Sequence, residues 1–163
     1  MNFLALGIDP ATTVSGYAIM SMIEGKISHV VSGESDGYTR ADRDAIAFGF
    51  IAHAEKNMLR MMVAMETWSL HGKWSNAAKV SVCESGGRWK ETLEFAGIGH
   101  KCQRCKVDEW RREVLMERRR IKTPEWKSLA IAHAETATGF KPRENQAEAI
   151  CIALWALKQA VGT

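Results

Sequence analysis

No stretch of this chain stays apolar for the roughly 20 residues that a membrane-spanning helix needs. Its first residues, MNFLALGIDP, lack the basic start and the small-residue cleavage site of a secretion signal or transit peptide. The expectation is a cytoplasmic protein with no membrane partner. Repeats, low-complexity segments and linkers are also missing, so the 163 residues read as one domain, 1–163. Cysteine is sparse: Cys83, Cys102, Cys105 and Cys151. Of these, Cys102 and Cys105 form one C-x-x-C, whereas a structural zinc site normally has two such half-sites or one with a His pair. The two thiols are therefore expected on a short strand or loop without metal, reduced in a cytosolic setting.

What the chain does have is unevenly placed charge. The net charge is a modest +3, yet residues 101–127 hold ten Lys/Arg against five Asp/Glu, and the remainder holds twelve against fourteen. A basic segment of this kind suits a polyanion partner. The run ERRRIK (117–122) favours that reading over a solvated helix whose charges pair at i,i+4.

Residues 3–9, 15–22 and 26–35 read as three strands. The second link, IEG, carries the turn former Gly25, so strands two and three should form a hairpin. Residues 40–60 change period: Ala41, Ala45, Phe48, Ala52 and Leu59 recur at helical spacing with charges between them. MMVAMETW (61–68) reads as a fourth strand, and its position after a helix predicts a crossover to a parallel neighbour. Residues 75–97 are helical, with a candidate break at Gly86-Gly87. IGHKCQRCK (98–106) reads as a fifth strand and 107–116 as a helix start. Thr123-Pro124-Glu125 is a helix entry, with a capping hydroxyl, Pro in the first turn and an acid at the positive dipole end. That helix should end at Gly139, and a last one should run from near Pro142 to near Gly162. The order β-β-β-α-β-α-β-α-α makes this an α/β domain.

Three acids sit where a core is expected. Asp9 ends the apolar LALGI and Glu66 ends VAM. A buried lone carboxylate costs several kcal/mol unless it is paired or metal-bound. In the last helix, Glu144 and Glu148 are i,i+4, while Asn145 and Glu148 are i,i+3, so all three share a face that continues inward as Ile152 and Trp155. Two glutamates at i,i+4 repel, and either Lys141 and Arg143 or a divalent metal must compensate. Oxygen ligands without a His or thiolate cluster select hard cations, Mg²⁺ or Mn²⁺, one or two per site. Such a site beside a basic region points to a metal-dependent nuclease.

The motifs carry a resemblance. GIDPATTVSGYAIM resembles the first-strand signature of RuvC-type Holliday-junction resolvases, in the RNase H-like superfamily, and the short length without a C-terminal tail suggests a phage or otherwise divergent branch. VAMETWS resembles that family's second acidic strand, and PRENQAEAICIALWAL its C-terminal helix. The resemblance implies an RNase H-like fold: a mixed five-stranded sheet, the first three strands antiparallel and the next two parallel, flanked by helices. It implies Asp9, Glu66 and Glu148 as metal ligands. The family's further acid falls on Asn145, and Glu144, one residue earlier, is the alternative fourth ligand. It also implies an aromatic wedge after the second acidic strand, with Trp68 nearest and His71 and Trp74 as competitors; Lys73 lies in the same segment. WRREV and EWKSLA resemble the family's phosphate-holding helices and point to Arg111, Arg112 and Lys127, the last also near enough to stabilise a transition state. Arg118, Arg119, Arg120 and Lys122 would track the backbone. Thr12, Thr13 and Ser15, in the turn after Asp9, would donate hydrogen bonds to a phosphate. The implied activity is paired hydrolysis of four-way or branched DNA by a homodimer in a bacterial or phage-infected cytoplasm. A junction-binding protein with weak or no catalysis is the alternative, motivated by Asn145. The same turn also resembles the phosphate loop of the ATPase and sugar-kinase group, which needs two such domains.

Overall fold

A computed structural model describes residues 1–35, 39–67, 75–116 and 122–162. Strands β1 (Phe3–Asp9), β2 (Ser15–Ile23) and β3 (Lys26–Ser35) form an antiparallel meander. The β2–β3 turn has two central residues, Glu24 and Gly25, with φ of 51° and 78°. Positive φ at both is the turn geometry whose twist matches the flanking strands. Helix α1 (Arg40–Lys56) then crosses to β4 (Arg60–Thr67), which lies parallel to β1. Helix α2 (Asn76–Phe95) and a 3-10 turn at Gly99–Lys101 lead to β5 (Cys102–Lys106), parallel to β4. Helices α3 (Val107–Val114), α4 (Thr123–Thr138) and α5 (Glu144–Val161) complete the chain. The sheet order is β3-β2-β1-β4-β5, the mixed five-stranded sheet that the resemblance implies.

Strand alternation splits the core into two layers. Leu4, Leu6 and Ile8 face α1 and α2, where they meet Phe50, Trp89 and Leu93. Phe3 and Ala5 of β1, with Ala18 and Met20 of β2, face α5, whose Ala147–Leu157 segment is buried throughout. A helix apolar on all sides must be covered on all sides. Here the sheet lies beneath α5, and α3 and α4 pack around it.

Several expectations are corrected in detail. The α1 stripe at Ala41, Ala45, Phe48 and Ala52 is exposed, and the buried residues are Arg43, Ala47, Phe50 and Ala54. The helix has apolar residues on two faces, and the one carrying Phe50 docks on the sheet. Arg43 is accommodated there because its Nε donates to Thr92 Oγ1 on α2 at 3.3 Å. The outward Phe48 is edge-on to Phe95, over which the Arg40 guanidinium sits at 4.5 Å. Helix α2 runs through Gly86-Gly87 without a break, continuous from Asn76 to Phe95. Three helices follow β5 rather than two, because α3 ends at Val114 and α4 begins at Thr123. The N-cap of α4 is Lys122, not Thr123, and the Glu125 carboxylate accepts from the Lys122 backbone N–H at 3.1 Å. Gly139 does close α4, at φ 79°. Cys102 and Cys105, three apart on β5, belong to opposite layers, which separates the two thiols across the sheet.

Candidate active site

The register brings two acids together. Ile8 pairs with Met65 across the parallel β1–β4 ladder, so the next residues, Asp9 and Glu66, stand side by side on the α5 face. Helix α5 supplies the third. It presses on the sheet where the sheet has no side chains: a Cβ on Gly7 would lie 2.2 Å from the Ala149 carbonyl oxygen, and one on Gly16 would lie 1.9 Å from the Asn145 carbonyl oxygen. This close approach sets Glu148 against the strand ends. One carboxylate oxygen from each of Asp9, Glu66 and Glu148 lies within 4.8 Å of the others. The three residues are 2%, 2% and 5% exposed.

Three buried carboxylates cannot all carry charge at this spacing without a cation. Burial pushes the Asp9 carboxyl well above the usual range, and the charges of Glu66 and Glu148 push it further. Burial, then the Glu148 charge, raises Glu66 to about 8, against an opposing hydrogen bond from Trp110. Burial raises Glu148 too, and the Arg111 and Lys127 charges oppose this. Asp9 Oδ1 and Glu66 Oε1 are buried and have no hydrogen-bond partner among the described residues. An all-oxygen set with orphaned, buried acceptors fits a hard divalent cation.

The other expected ligands have other partners. Glu144 stands outside the trio and forms an ion pair with Lys127. Asn145 Nδ2 donates to the Val14 carbonyl at 2.7 Å, tying α5 to the β1–β2 turn. Helix α2 holds the same turn from the other side, through Ser81 Oγ to the Thr12 carbonyl at 2.8 Å. Ser15 is a correction: it is fully buried, and its hydroxyl is 3.0 Å from that of Ser85 under α2, so it does not face a phosphate. Strand alternation puts Ser15 on the face opposite Asp9. Thr12 and Thr13 are exposed at the turn, and Arg112 on α3 and Lys122 at the N-cap of α4 are exposed. Trp68, His71, Lys73, Trp74, Arg118, Arg119 and Arg120 lie outside the described residues.

Two residues at the site, Trp110 and Trp126, escape a reading of the sequence. Trp110 is fully buried, and its indole Nε1 donates to Glu66 Oε2 at 2.6 Å. The Arg111 guanidinium carbon lies 5.2 Å from the Trp110 ring centroid and 5.3 Å from that of Trp126. The only available signal was a tryptophan beside each expected phosphate-holding basic residue, in WRREV and EWKSLA.

No protein-family model matches the chain, and no curated protein matches its sequence. Among solved structures it is similar to Thermus thermophilus RuvC in complex with a Holliday junction substrate, at 17% identity and a TM-score of 0.68, over 99% of this chain and 97% of that one. A second Thermus thermophilus RuvC structure matches at the same identity and score, over 99% of this chain and 98% of that one. The likeness shows a shared fold across the whole chain.

Proposed function

We propose that the chain is a divalent-metal-dependent endonuclease that resolves four-way DNA junctions and related branched DNA. The observation that carries the reading is the buried Asp9–Glu66–Glu148 trio with its orphaned oxygens, held on a fold shared with a junction-bound RuvC. Asp9, Glu66 and Glu148 would hold Mg²⁺, with Mn²⁺ able to substitute. Bound there, the cation supplies Lewis acidity for phosphodiester hydrolysis, favouring attack by water and departure of the leaving oxygen.

The chain's own groups do the binding and orienting. The apolar strands and the Gly7 and Gly16 contacts fix the three carboxylates before substrate arrives, which lowers the cost of reaching reactive geometry. Arg111, whose charge acts on all three acids, and the exposed Arg112, Lys122, Thr12 and Thr13 would hold the DNA backbone, with an affinity that falls as salt rises. Lys127 reaches a phosphate once its pair with Glu144 opens. A four-way junction has approximate two-fold symmetry, so two incisions call for a homodimer with two such sites.

The test is the purified chain with Mg²⁺ or Mn²⁺ and a labelled four-way junction at low salt. The expected result is paired nicks at symmetry-related positions. No cleavage with either metal, across several junction sequences, overturns the proposal. One observation favours a second reading, a junction-binding protein with weak catalysis: Asn145 is committed to the Val14 carbonyl and adds no charge to the trio. Tight junction binding that is independent of metal, with no incision, would select it.

A further inference from the structure

Trp110 has no assigned part in this chemistry, yet it touches the trio. A buried indole N–H needs an acceptor and a buried carboxylate needs donors, so the contact has a bland explanation. The fold argues against that explanation. Trp89 and Trp155 are also buried, and their indole nitrogens have no hydrogen-bond partner among the described residues. Satisfying an indole is therefore not what this core demands. Trp110 differs in what it binds: its indole N–H donates to Glu66 Oε2, a member of the trio, at 2.6 Å. Holding Oε2 leaves Oε1 as the Glu66 oxygen without a hydrogen-bond partner among the described residues, in a carboxylate grouped with those of Asp9 and Glu148. The face of the same ring carries Arg111, whose charge acts on all three acids. Trp126 packs on Arg111 as well.

We propose that Trp110 is a positioning residue of the cation site, fixing Glu66 with its indole N–H so that one oxygen is presented to the metal, and steadying Arg111 beside the acids with its ring face. It acts on metal through Glu66, as the outer partners of metal ligands generally do; losing such a partner costs about 10–100-fold in affinity. The inference rests on the metal-site reading above.

Trp110→Phe keeps an aromatic ring for Arg111 and removes the donor. In calorimetric titration of the full chain, Mn²⁺ affinity should fall by about tenfold or more. Cleavage should be recovered in large part at saturating Mn²⁺, because the ligands remain. In proton–nitrogen spectra of the isotope-labelled wild-type chain, the Trp110 indole signal should shift on adding Mg²⁺ more than those of Trp89 and Trp155. Wild-type Mn²⁺ affinity in Trp110→Phe overturns the assignment and leaves the metal site standing. A Trp110 indole signal that does not move with Mg²⁺ overturns it too, and needs no variant to fold. A wild-type chain that binds no Mn²⁺ removes both the site and the role of Trp110.

Discussion

The two faces of the sheet are packed by different rules. On the α1/α2 face, large side chains fill the space: Phe50, Trp89 and Leu93 against Leu4, Leu6 and Ile8. Glycines on those helices, such as Gly49 and Gly87, have no described atom outside their own helix turn within 4 Å of where a Cβ would be. On the α5 face, backbone meets backbone at Gly7 and Gly16, and the small residues Ala147, Ala149 and Ala153 line the contact. The first face excludes water with bulk. The second sets one helix at a fixed height above two strand ends, and the three acids are on that face. Packing that tolerates change and packing that fixes chemistry are thus divided between the two sides.

The largest expected effect comes from the acids themselves. Asp9→Asn and Glu148→Gln should each lower cleavage by about a thousandfold, the equivalent of ~4 kcal/mol of transition-state stabilisation. Junction binding, measured by gel shift, should persist. Comparable loss from a conservative change on the α1/α2 face would break the division. Next is the effect of pH on the metal-free chain. Glu66 binds its proton up to about 8 when folded, against 4.5 as the ordinary value, so the folded state holds more protons in between. Stability in EDTA should therefore be fullest near pH 4.5 and fall as pH rises toward 8, by on the order of a few kcal/mol. Thermal scans across that window check this, and saturating Mn²⁺ should flatten the slope. A stability that rises with pH in EDTA would place the acids elsewhere.

The glycines test the division directly. Gly7→Ala and Gly16→Ala must displace α5 backbone and should each cost about 1–3 kcal/mol, with Mn²⁺ binding lost alongside. Gly49→Ala and Gly87→Ala sit in open space on helices and should each stabilise by up to about 1 kcal/mol. Melting temperatures of the four variants decide it. Equal destabilisation in all four would mean that the two faces are packed alike.

Much of this could be read from residues in order. The hairpin at Gly25, the crossover into 60–67 and the acids closing two apolar runs are local signals, and each survives in three dimensions. What could not be read depends on which face meets which neighbour. Arg43 looks like a solvent residue until Thr92, 49 positions away, receives its Nε. Ser15 follows Asp9 closely in sequence, but alternation sends it to the other layer, against Ser85. Trp110 is one aromatic among charges, and only the β4–α3 packing gives its N–H an acceptor on Glu66. The Cys102 and Cys105 spacing suggests a pair, yet strand geometry sends three-apart residues to opposite sides.

The smallest effect concerns Glu144, and it separates two roles for that residue. The Lys127–Glu144 pair has side chains 39% and 45% exposed, so it adds at most about 1 kcal/mol to stability. Glu144→Gln should leave the melting temperature nearly unchanged. It should free Lys127 for a phosphate and remove a negative charge near Asp9 and Glu148. Junction affinity at low salt should then rise by about two- to fivefold, and the dependence of log affinity on log salt should steepen by up to about 0.9. Were Glu144 a ligand of the cation instead, the same substitution would weaken Mn²⁺ binding by about tenfold or more, with little change in the salt slope. The two measurements move in opposite combinations, so a single variant distinguishes a gate on Lys127 from a fourth carboxylate of the site.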